Sequence, residues 1–179
     1  MRRTISLLGI LICVLIASPA LGDESKTRMV TDQASGLSLR LPVAWERHQS
    51  GRPVMYASPQ TPQYNFLMSR MDRPLEHLER AESLASMAGV LISGNPTAQS
   101  PVERVATSDR VLWYYTSSLT EERGRAKDDR HWLLLIRGKT AVHLATFTLS
   151  VLAERADSAE TDRLAKLLDA KIAEAAAVE

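Results

Sequence analysis

The stretch HWLLLIRGKTAVHLATFTL, His131 to Leu149, decides the architecture of this 179-residue chain. Gly138-Lys139 between two apolar runs predicts an antiparallel hairpin with a tight turn. Side chains alternate along a strand, so Trp132, Leu134 and Ile136 share a face with Ala141, His143, Ala145, Phe147 and Leu149. Leu133 and Leu135 share the other face with Val142 and Leu144. Both faces are apolar, whereas a sheet with one face in water alternates cleanly between apolar and polar. The centre of this sheet is therefore expected to be covered on both sides.

Helical periodicity supplies the two covers. From Pro74 to Leu91, the residues Leu75, Leu78, Ala81, Leu84, Ala85, Ala88 and Leu91 recur at three- and four-residue steps, with Asp72 as a candidate cap. A second helix runs from Asp157, its N-cap, to about Ala175, and Glu160 three positions on completes an acidic variant of the capping box. Further strands are predicted at Leu37–Leu41, Val43–Arg47, Val54–Ser58, Tyr64–Met71, Val102–Thr107 and Val111–Leu119, beside the hairpin strands Arg130–Arg137 and Thr140–Leu152. The run SGNPTAQSP, Ser93 to Pro101, collects breakers and reads as a loop. The order predicts an α+β domain: an antiparallel β-sheet with helices on both faces, an α/β/α sandwich without repeats.

The N-terminus has Arg2 and Arg3, an apolar run from Leu7 to Ala17, and small residues at Ser18, Ala20 and Gly22. That pattern predicts a cleavable secretory signal over residues 1–22, cut after Ala20 or Gly22, because the run is shorter than the roughly 17 to 25 residues of a spanning helix. Ser6 after Ile5 fits twin-arginine export poorly, which favours ordinary unfolded export. Residues 23–35 are expected as a flexible lead-in, and residues 36–177 as one domain. The expected location is the periplasm or outside the cell, with no transmembrane segment after cleavage. The single cysteine, Cys13, sits inside the apolar run behind Ile12, so the mature chain has no thiol for a nucleophile, a zinc site or a disulfide. Without Arg2 and Arg3 the 22 basic residues fall to one fewer than the 21 acidic ones. A near-neutral chain has no long-range field to attract nucleic acid or an anionic membrane.

The order of elements, the LRLPVAW segment at 39–45, the strand VLWYYTSSL at 111–119, the hairpin and the closing ETDRLAKLLDAKIAEA at 160–175 together resemble the PsbP-like fold. That superfamily includes the PsbP proteins of photosystem II, the Mog nuclear-import factor, DcrB-like envelope proteins and Eag-type effector chaperones. The resemblance implies a fold and a binding or accessory role. It carries no functional residue over to this chain.

All nine aromatics fall in predicted strands, which suits sheet packing better than a stacking platform for bases. His48, His77, His131 and His143 lack metal-ligand spacing. With the tight turn, His131 opposes Thr146 and His143 opposes Leu134, on opposite faces; His143 reads as a hydrogen-bonded sheet histidine, His131 and His48 as solvated. In EERGRAKDDR, Glu121, Glu122, Asp128 and Asp129 interleave with Arg123, Arg125 and Lys127, the pattern of a solvated hairpin tip. No familiar hydrolase or phosphate-binding motif occurs. No catalytic residue, cofactor or metal is assigned, and the chain is expected not to be an enzyme. Arg47, His48 and Arg52 cluster around the turn Ser50-Gly51 and are the candidate partner-binding residues, suited to an acidic or extended segment of another envelope or secreted protein. Three alternatives remain: an immunity protein or chaperone for a secreted toxin, an enzyme whose Arg, His and carboxylate groups converge in a cleft, and a ligand carrier, which would need a closed apolar cavity.

Overall fold

The computed structural model describes residues 26–32, 37–49, 53–120 and 124–177. The segment read as a signal peptide and the turn residue Arg52 lie outside them. Strands β1 (Thr27–Asp32) and β2 (Leu37–Pro42) form a two-stranded sheet. The main sheet contains β3 (Glu46–Gln49), β4 (Val54–Ala57), β5 (Asn65–Pro74), β6 (Gln99–Ala106), β7 (Arg110–Thr120), β8 (Ala126–Arg137) and β9 (Ala141–Leu152). Its seven strands lie in the order β3-β4-β5-β9-β8-β7-β6, every pair antiparallel. Helices α1 (Leu75–Ala81) and α2 (Leu84–Ser93) carry the chain from central β5 to the far edge at β6, and α3 (Ser158–Ala177) closes it. The architecture is α+β, an antiparallel sheet with helices on both faces.

Each cover buries its own core. Behind α3, Leu164, Leu168 and Ile172 meet Trp132, Leu134, Phe147 and Leu149, while Leu39, Leu41 and Trp45 continue the same layer. Polar contacts pin the ends and middle of α3. Asp157 accepts from the Glu160 N–H at 3.0 Å as the predicted cap. The reciprocal half of the capping box is replaced: the Asp157 N–H donates to the Tyr64 hydroxyl at 3.1 Å, and the Glu160 carboxylate takes Arg163 at 2.8 Å. The Trp132 indole N–H donates to Asp169 at 2.9 Å, and Arg110 reaches the Ala176 carbonyl at 3.3 Å. On the other face, Leu78, Leu84, Met87, Ala88 and Ile92 pack on Val111, Leu133, Leu135, Val142 and Leu144.

Several expectations change. Within the stretch read as a flexible lead-in, Thr27–Asp32 is strand β1, because β2 supplies a ladder and Val30 reaches the main core. The single helix from Pro74 is two. Glu82 adopts φ 65°, and the Ser83 hydroxyl accepts from the Ser86 N–H at 3.0 Å, starting a new helix where the old one would have continued. Asp72 caps neither; its carboxylate meets His143. The run read as a loop enters β6 at Gln99. The hairpin register is two residues wider than a tight turn gives: Arg137 pairs Val142, and the Gly138 N–H donates to Ala141 at 2.9 Å. A Cβ at position 138 would lie 2.7 Å from His143 Nε2 and 2.8 Å from the Ala141 carbonyl oxygen, so this loop closes only around a glycine. His131 now opposes Thr148 and His143 opposes Ile136. A shift of two preserves which face each side chain occupies. Trp45 and Tyr64 lie just before their strands rather than in them, and both are buried.

Candidate functional site

The face under α1 and α2 changes character partway along the strands. On β8 the residues directed to that face run Lys127, Asp129, His131, then Leu133 and Leu135; on β9 they run Ser150, Thr148, Thr146, then Leu144 and Val142. Pairing sets the two changes one inner-face pair apart, since His131 faces Thr148, Leu133 faces Thr146 and Leu135 faces Leu144. The helices cover the apolar half. The polar half, extended onto β5 by Leu67 and Ser69, floors a recess of about 280 Å³.

Asp129 is the anomaly in that floor. It is only 3% exposed, and its Oδ1 has no hydrogen-bond partner among the described residues. Burial pushes its carboxyl up from the usual aspartate range, partly offset by the Ser150 hydroxyl and Lys127. The expected solvated tip therefore ends earlier than anticipated. Because β8 starts at Ala126, alternation turns Asp129 onto the inner face, and Asp128 pairs with Arg130 instead.

His131 is likewise not solvated. Its Nε2 lies 2.7 Å from the Ser117 hydroxyl and its Nδ1 3.1 Å from that of Thr148, and the Tyr115 ring stacks on it at 4.8 Å. In a neutral ring one nitrogen donates and the other accepts, and the two hydroxyls satisfy both. Burial lowers its pKa to about 4. On the opposite face, His143 is hydrogen-bonded as its strand position suggested, with Nδ1 2.8 Å from Asp72 and 2.6 Å from Arg70. Hydrogen bonding to His143 holds the Asp72 carboxyl below its usual range.

Titratable groups thus do converge in a concavity, which an enzyme would require. Their chemistry suits holding a ligand better than moving protons. A base with a pKa near 4 is poorly matched to proton transfer at neutral pH, and the Ser117 hydroxyl beside it belongs to a residue only 3% exposed. Among the described residues no three His, Cys, Asp or Glu side chains gather as a metal site, and no helix is long and apolar enough to cross a membrane.

Of the residues predicted to bind a partner, Arg47 and His48 are exposed on β3, the outermost strand of the main sheet. The opposite edge, β6, is blunted: Ser100 has φ 47°, Pro101 follows it, and register shifts occur at Gln99/Val102 and Glu103/Val105. His77 is exposed on α1. Sequence reasoning missed the recess, although the alternating polar residues at 127, 129 and 131, on the same face as those at 146, 148 and 150, were its signature.

No family model matches the chain, and no curated protein matches it by sequence. Among solved structures, the Ran-binding protein Mog1p of Saccharomyces cerevisiae is 11% identical, with 82% of this chain covering 93% of that one at a TM-score of 0.50. A point mutant of Mog1 is 8% identical, with coverages of 84% and 92% and a TM-score of 0.51. LpqN, involved in cell envelope biogenesis of Mycobacterium tuberculosis, is 14% identical over 72% of this chain and 80% of that one, at a TM-score of 0.43. At such identities the likeness to Mog1p is one of fold: this chain shares the α+β arrangement that its resemblance to the PsbP-like proteins implied.

Proposed function

We propose that this chain is an exported, non-enzymatic binding domain of the bacterial cell envelope that engages another envelope or secreted protein along β3. The observation that carries the reading is the asymmetry of the two sheet edges. The outer side of β3 pairs with no strand among the described residues and presents Arg47 and His48, whereas β6 is obstructed by Pro101 and its irregular register. An extended acidic segment would gain main-chain hydrogen bonds from the edge, charge pairing from Arg47 and the neighbouring Arg52, and a side-chain hydrogen bond from His48. The N-terminal arginines and apolar run support export.

The test is photo-crosslinking from position 48 in intact cells, followed by fractionation. A discrete crosslinked protein in the envelope fraction is expected. It should disappear when Arg47 and Arg52 are changed together to Glu with the crosslinking residue kept at position 48, and persist in Glu103→Lys on β6. A full-length chain retained in the cytoplasm, or crosslinks indifferent to the β3 charges, overturns the reading.

A further inference from the structure

The contact edge leaves the recess over β5, β8 and β9 without a role, and three observations there converge. Its floor is built of hydroxyl side chains, Ser69, Thr146, Thr148 and Ser150, where the neighbouring half of the same face is aliphatic. Asp129 lines it while 97% buried, and Asp129 Oδ1 is unpartnered among the described residues. An oxygen left so carries a penalty that a hydrogen-bond donor removes, and a positively charged donor removes most effectively.

We propose that this recess binds a single cationic nitrogen group, a primary ammonium or a guanidinium, on a small ligand or a protruding side chain, with Asp129 as its principal acceptor. Ser150 and Thr148 flank Asp129 across the β8–β9 ladder and provide further acceptors for a head with several N–H groups. Lys127, two positions along the same face, opposes bare metal ions and polyamines, whose charge is concentrated or multiple. The volume of about 280 Å³ accommodates a head group of this size with a short aliphatic stem along Leu67. This site stands or falls independently of the β3 edge.

Amide chemical shifts of the isotope-labelled mature protein, titrated with butylammonium and ethylguanidinium chloride and with butanol and sodium acetate as controls, test it. Saturable shifts centred on Asp129, Thr148 and Ser150 are expected for the two cations, with millimolar dissociation constants. Binding should weaken about tenfold in Asp129→Asn and more modestly in Thr148→Val, which keeps the carboxylate, and remain unchanged in Arg47→Glu. Absence of saturation with either cation, equal shifts from butanol, or undiminished binding by Asp129→Asn overturns the proposal.

Discussion

The two faces of the main sheet are made from the same strands, yet they do different things. The face under α3 carries a single apolar cluster that joins Trp45, Trp132, Phe147 and Val151, and its helix is fixed by Trp132 to Asp169, Tyr64 to Asp157 and Arg110 to Ala176. The other face is closed for half its length by two short helices and then opens on Asp129, His131 and a floor of hydroxyls. Burial of aliphatic surface stabilises the first. Burial of a carboxylate with an unpartnered oxygen costs stability on the second. The difference teaches that one sheet can divide its faces, with an apolar core carried along one side and a core that gives way to buried polar groups on the other.

The largest test of that division is Trp132→Ala. Trp132 is fully buried under α3, and its loss should cost about 3–5 kcal/mol in urea unfolding, whereas Thr148→Ala on the open floor should cost about 1 kcal/mol. Comparable losses would break the comparison. Acid unfolding gives an intermediate effect. The His131 pKa falls from 6.5 to about 4 on folding, so the unfolded chain binds the extra proton between those values. Stability should therefore decline as pH drops through that window, by at most about 3 kcal/mol from this group. Asp129, in the same recess, has a raised carboxyl and opposes the decline at the acid end. His131→Gln should lose less stability than the wild type between about pH 7 and about pH 4.5. An unchanged urea midpoint difference would mean that the ring is not held neutral. The smallest effect concerns the break between α1 and α2. Glu82 holds φ 65°, so Glu82→Gly should raise stability by up to about 1 kcal/mol, read as a modest rise in Tm.

The fold was largely legible because periodicity is local. Alternation in His131–Leu149 set both apolar faces, and even the mistaken turn kept every side chain on its proper side, since the register error was two residues. Strand β1 was not legible: TRMVTD has too few apolar positions to stand out, and it becomes a strand only where β2 offers a ladder. The division of the long helix was hidden for a related reason, because Ser83 reads equally well as a helix residue and as a cap. The edge cluster at Arg47 and His48 could be found from charge and turn residues alone. The recess could not, as its members lie on β5, β8 and β9 and have meaning only when the ladder sets Asp129 beside Ser150 and His131 beside Thr148.

By itself, then, the sequence determined the α+β class, the two-sided apolar centre, the capped closing helix and the near-neutral charge, all of which follow from neighbours a few positions apart. Tertiary structure alone decided where α1 and α2 stop covering the sheet, and so which polar side chains are buried without partners. Burial and satisfaction depend on what lies across the ladder and above the face, and those neighbours are distant in the chain.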